Sequence, residues 1–285
     1  MSSSRHSGPS QLHIEGSNPS NIDRFVFSII TRYLERDPSE PDTSTEIAIR
    51  DIKECLNLAA ARPRRGSPDK VVGTAVWRIA LQVAKQIPVS DPRQGWLSAL
   101  IHEWCQVWES WQSLEDFVPS LKDMFTNDNR QETKERVLNI CAFIAHLGFK
   151  DILPSHCDTL APACINLITA TQSKSPDARV YFHLSALWMH SRGKRVLIMR
   201  RTDTEPELQA WLPDYLIFRP EYAPTALWQH WQECYVRIAR KINDPKVVDE
   251  AADVVERMRL IVETWGDAQS ANSSALELLH THVQT

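Results

Sequence analysis

The chain has 285 residues, 42% of them apolar and 24% charged, an ordinary balance for a globular protein and enough to bury one core or two packed halves. A net charge of −4 supplies no overall positive field, which argues against wholesale binding to nucleic acid or an anionic membrane. No stretch approaches the roughly 20 apolar residues that span a bilayer, and the Ser/Gly/Pro-rich residues 1–20 lack the apolar run of a secretory signal, so these read as a disordered tail on a soluble, cytoplasmic protein, with the nucleus as a further compartment.

Apolar residues three and four apart then recur along the chain, the mark of helices with one buried face. Ile22, Phe25, Val26, Ile29, Ile30, Tyr33 and Leu34 form the first stripe, entered from Ser20 or Asn21 and closed before Asp37-Pro38. Thr43-x-x-Glu46 reads as a capping box opening a second helix over Ile47 to Ala61. Ser67-Pro68 starts a third, whose face runs from Val71 to Ile87 until Pro88 stops it. Asp91-Pro92 repeats that start, and Leu97, Leu100, Ile101, Trp104, Val107, Trp108 and Trp111 share one arc of a fourth.

The grammar then loosens. Ser113 opens a short helix interrupted at Pro119, and Gln131 to Leu147 reads as a longer one with Gly148 as its left-handed closing residue. Leu160 to Thr171 is helical, and Ser175-Pro176 begins a helix that Gly193 stops near Ser191. Arg192 to Arg201 reads equally as a strand or a helix continuation. Thr204-x-x-Glu207 opens a short helix ending before Pro213, an irregular loop reaches Pro224, and Thr225 starts a helix to about Ile242. Asp244-Pro245 begins the last, with Val247, Val248, Ala251, Val254, Val255, Met258, Val262 and Trp265 on one side and Gly266 beyond its end.

No sustained period of two and no Asn-Gly or Asp-Gly hairpin turn occurs. The fold class is therefore all-α, a multi-helix array or bundle of roughly ten helices around a Trp-rich core. Residues 21–270 form one domain, with a cut near 173–176 as the alternative, and 271–285 are a short C-terminal helix or tail. The six cysteines show no C-x-x-C spacing and fall mostly among apolar residues, as expected of small buried hydrophobes in a reducing compartment rather than a disulfide framework.

Val76-Trp77, then Ala84-Lys85-Gln86-Ile87-Pro88, Asp91-Pro92, Gln94 and Leu97 resemble an uncharacterised family of fungal all-helical proteins with the pattern W-x(6)-A-K-Q-I-P, a polar turn, a Gln and a Leu-rich helix. The resemblance is specific over about residues 70 to 110. It implies a soluble helical fold and a fungal source, and it carries no catalytic residue over. The same residues also have a purely structural reading, in which Ile87 closes a buried face, Pro88 ends one helix and Asp91-Pro92 starts its partner.

None of the eight glycines forms G-x-G-x-x-G, a P-loop or G-x-S-x-G, the patterns by which backbone approaches phosphate or turns at a nucleophile. The ten tryptophans are either core or the wall of an apolar pocket or groove; Trp104, Trp108 and Trp111 share the apolar arc and read as core, while Trp96 at its edge is the surface candidate. His102-x-x-Cys105 has helical ligand spacing without a third ligand, and His183 and His190 lie about 10 Å apart along a helix, too far for one metal. No metal and no cofactor are expected. Two basic clusters remain, Arg62 to Arg65 in a loop, and Arg192, Lys194, Arg195, Arg200 and Arg201 around Val196 to Met199. The second is the candidate recognition site, able to hold an anionic ligand or acidic partner through its arginine forks, against the alternative of a buried segment with charged flanks.

No catalytic residue can be assigned. The leading functional reading is a protein-interaction or scaffold protein. The alternatives are a small-molecule binder or enzyme with a Trp-lined pocket between helices and, more weakly, a regulatory nucleic-acid-associated factor.

Overall fold

The structure, a computed structural model, describes residues 12–16, 18–35, 43–60, 68–107, 117, 119–122, 133–150, 157, 160–170, 177–198 and 224–282. Nine long helices lie among them: α1 (Asn21–Leu34), α2 (Thr43–Ala60), α3 (Pro68–Ala84), α4 (Arg93–Val107), α5 (Lys134–Phe149), α6 (Leu160–Ala170), α7 (Ala178–Ile198), α8 (Pro224–Ile242) and α9 (Pro245–His282). The described residues thus form an all-α fold. They divide into two compact units, one drawn from residues 1–160 and 205–217, the other from 161–204 and 218–285.

In the first unit α1 begins with a reciprocal capping box. The Ser20 hydroxyl accepts from the Asp23 N–H at 3.1 Å, and the Asp23 carboxylate accepts from the Ser20 N–H at 2.9 Å. Val26, Ile29, Ile30, Tyr33 and Leu34 of α1 are buried, where α2 and α3 pack. Arg78 of α3 donates to the same Asp23 carboxylate, tying the start of α1 to the side of α3. Burial alone would raise the Asp23 pKa, but the hydrogen bonds from Arg78 and Ser20 outweigh it and hold the carboxyl below its ordinary range.

Helix α2 already contains Thr43, which corrects the expected capping box, because an N-cap residue is itself non-helical. Helix α3 ends at Ala84, and the chain tightens through bonds from Gln86 N to Val83 O and Ile87 N to Ala84 O. The Asp91 carboxylate accepts from the Arg93 N–H at 2.9 Å and launches α4. Between α3 and α4 the Trp77 and Trp104 rings meet edge to face at 5.9 Å, with Phe117 4.7 Å from Trp77. All three are fully buried, and each tryptophan removes about 200 Å² from water, an upper-bound gain of roughly 5 kcal/mol per ring. Trp108 and Trp111 lie outside the described residues. Helix α5 packs on α3 and α4 and continues through Gly148 to Phe149, with Lys150 as cap. Gly148 is therefore a buried helical residue and not a left-handed terminus, a correction to the sequence reading.

In the second unit α7, α8 and α9 pack on one another. The Ser185 hydroxyl of α7 donates to the Ile165 carbonyl of α6 at 3.0 Å and also meets the Tyr235 hydroxyl of α8; Trp231 of α8 donates to Asn166 of α6 at 3.3 Å. Burial pushes the Tyr235 phenol well above its usual range, so it stays a neutral hydrogen-bonding group. The turn from α8 to α9 is set by Asn243, whose φ of 53° is left-handed, a conformation asparagine tolerates better than other non-glycine residues. Asp244 then accepts from the Lys246 N–H at 3.0 Å.

Two expected helix ends are overturned here. Helix α7 runs through Gly193 to Ile198, so the residues 192–198 that read as strand or helix are helix. Gly193 is a contact residue: a Cβ on it would lie 2.7 Å from Met189 Sδ and 3.1 Å from Ile261 Cδ1 of α9. Helix α9 likewise passes Gly266 and reaches His282; one glycine in a helix interior costs only about 1 kcal/mol relative to alanine. No helix among the described residues is long and apolar enough to cross a membrane.

Candidate functional site

The residues of the Ala84–Pro88 motif take part in a polar cluster in the first unit. Gln94, fully buried, directs its side-chain N–H groups at three carbonyl oxygens, those of Ala84 (3.0 Å), Ile87 (2.7 Å) and Asn139 (3.1 Å). Asn139 of α5 donates in return to the Lys85 carbonyl at 3.0 Å. The α3 terminus, which would leave carbonyls without intrahelical partners, is thereby sewn to α4 and α5.

Against this support lies a non-helical run, residues 12–16, within the stretch that reads in the sequence as a tail. Gln86 holds its main chain at both polar groups of one residue. The Gln86 side-chain oxygen accepts from the His13 N–H at 3.0 Å, and its amide donates to the His13 carbonyl at 2.8 Å. Two residues on, the Glu15 carboxylate is shared between Lys85, which meets one oxygen, and Arg136 of α5, which meets the other. Leu12 is buried while the His13 side chain is 64% exposed. Gly16, at φ 110°, ends the run in a conformation that a side chain rarely adopts.

The second unit presents two surfaces. Helix α9 buries Val247, Ala251, Val254, Met258 and Ile261 and leaves a second apolar row outside, Val248 at 44% exposure and Val262 at 42% with Val255 half-buried between them, while Leu260, also exposed, lies on a different side of the helix. Arg259 bridges Glu256 and Glu263 beside that row. The basic candidates are divided by the fold. Arg192 is buried, Lys194 and Arg195 are exposed on the last turns of α7, and Arg200 and Arg201 lie outside the described residues. Trp96 is half-buried on α4.

The remaining candidates resolve into ordinary contacts. The His102 ring nitrogens face Glu103 at 3.2 Å and Gln106 at 3.4 Å, and His183 pairs with Glu250 of α9. His190 is held below its usual pKa by burial and by the nearby Arg257 charge, against opposing Glu250 and Asp253. Among the described residues no three His, Cys, Asp or Glu side chains gather as a metal would require, and Cys105, Cys141, Cys157, Cys164 and Cys234 are not in disulfides. The cluster around Glu15 is not legible locally because its parts are far apart in the chain, His13 and Gln86 by 73 residues and Glu15 and Arg136 by 121.

The fold is that of an all-helical protein with buried, Trp-containing aromatic clusters. It belongs to the family of proteins of unknown function DUF3632, whose pattern matches residues 77–235, from the buried Trp77 to the buried Tyr235. The chain matches no curated protein and no solved structure.

Proposed function

We propose that the protein works by holding another protein and not by catalysing a reaction. The outer row of α9 carries this reading. Val248, Val255 and Val262 recur every seven residues, so they follow one line about 21 Å long on the helix. Heptad spacing with β-branched residues is how one helix receives another, and an apolar line bordered by charge has the anatomy of an interaction surface. Trp96 of α4, Lys194 and Arg195 of α7, and Arg200 and Arg201 are proposed as further partner contacts; Arg192 is left out because it is buried. The setting is cytoplasmic, with nuclear entry through the Arg62 to Arg65 loop, in a fungal cell as the Ala84–Pro88 motif implies.

The test is affinity purification of the wild type beside a Val248→Glu, Val262→Glu double variant. Both positions are exposed, so stability should change by less than about 1 kcal/mol. A near-stoichiometric companion of the wild type that is lost from a variant of unchanged melting temperature supports the reading. An identical set of companions, or none with the wild type, removes it.

A further inference from the structure

We infer that the Lys85–Gln86–Arg136 cluster is a receptor for a short acidic peptide, that Leu12–Glu15 occupies it in cis, and that a partner segment of the same pattern takes its place there. This site is independent of the α9 surface.

The chemistry of the contacts describes the ligand. Gln86 grips both main-chain groups of His13, which is strand recognition reduced to one residue and indifferent to the side chain. The His13 side chain is 64% exposed and lies 3.8 Å from the segment's own Glu15 carboxylate, so its contact is within the ligand segment. The next readable feature is a carboxylate. Lys85 is only 1% exposed, and an ammonium so removed from water needs an anionic partner to be tolerated. That partner is Glu15, on a non-helical segment rather than on a neighbouring helix, and it is gripped from a second direction by Arg136. Leu12 supplies an apolar anchor at the other end. The ligand so defined is a short non-helical segment reading apolar, any, apolar, acidic, with no proline at the second position because its N–H is needed.

The arrangement also supplies its own regulation. A tethered segment competes at an effective concentration in the millimolar range, so an external peptide is excluded until the tether is weakened or the partner binds elsewhere as well. Loss of either grip on the cis segment should therefore open the site.

The test uses the full chain carrying His13→Pro and Glu15→Gln, which removes the N–H that Gln86 accepts and the carboxylate charge. A fluorescent peptide of residues 10–18 is titrated into wild type and variant, beside the same peptide with Gln in place of its Glu. Binding to the variant at least tenfold tighter than to wild type, and at least tenfold weaker for the Gln peptide, is the expected result. A folded variant that binds no better than wild type, or that does not distinguish the two peptides, overturns the inference. If the variant is unfolded, millimolar peptide should restore its helical circular dichroism; failure to do so is equally decisive against it. Wild-type dimers that dissociate in the variant would assign the occupant to a second copy and overturn exchange with a partner.

Discussion

Replacing Gln94 by Leu keeps the volume close and removes the buried amide that joins α3, α4 and α5. Three carbonyl oxygens, at 2.7, 3.0 and 3.1 Å, then lose a donor. Ala84 O retains the Ile87 N–H at 3.1 Å, and Asn139 lies within α5, so Ile87 O bears most of the loss. A buried acceptor left without a partner costs about 1–3 kcal/mol, and each other lost bond about 1. These terms come to roughly 3–5 kcal/mol, and removing the buried Gln94 Oε1, which has no hydrogen-bond partner, returns about 1, leaving roughly 2–4 kcal/mol or about 5–15 °C of melting temperature in a domain of this size. Gln94→Glu discriminates further. It has the same shape but presents carboxylate oxygens to three carbonyl oxygens, so its folded-state pKa must rise above the unfolded value near 4.3. A raised pKa means that the variant is best tolerated below about pH 4.3 and that its deficit relative to wild type grows as pH rises through the folded-state value. Thermal melts of all three proteins between pH 4 and 8 read this directly. A Leu variant melting with the wild type, or a Glu deficit independent of pH, would refute the role given to the amide.

Asp23→Asn weakens the α1 cap and its tie to Arg78, with an expected loss of about 1–2 kcal/mol at pH 7; because the folded-state pKa is lowered, that advantage of the wild type should be full above about pH 3.8 and vanish as pH falls below it, in paired denaturant melts. Gly193→Ala gains about 1 kcal/mol of helix propensity but drives a methyl into fully buried Met189 and the Ile261 side chain, and overpacking of about 1–3 kcal/mol should win; a higher melting temperature would disprove the close approach of α7 to α9. Ile87→Asp places a carboxylate at a fully buried position and should cost more than about 4 kcal/mol, seen as loss of the cooperative melt.

The helices of the first unit were legible because their caps and stripes are local. Ser20, Asp91-Pro92 and the Val72 to Ala84 face act through neighbours within a turn or two of chain. The misread ends share one cause. Residue type alone makes stops of Gly148, Gly193 and Gly266, yet Gly193 sits in a tertiary contact with Ile261, which no local pattern reveals. Asn243, a true left-handed turn residue, carries the weaker signal. Lys85 and Gln86 enter the sequence reading only as letters of the Ala84–Pro88 motif, since the partners that give them a role, Glu15 and His13, are about 70 residues away. Of the apolar stripe expected along α9, Val247, Ala251, Val254 and Met258 are buried, whereas Val248 and Val262 are exposed, a division that depends on how α7 and α8 pack against the helix.

The interaction role is tested most directly by a photo-activated cross-linking residue placed singly at Val248, Val262 and, as control, Arg240 of α8, in living cells. The expected result is one and the same protein adduct from positions 248 and 262 and none from 240. A folded protein giving no adduct at 248 and 262, or the same adducts at all three positions, would contradict the assignment of the α9 outer row as a binding face.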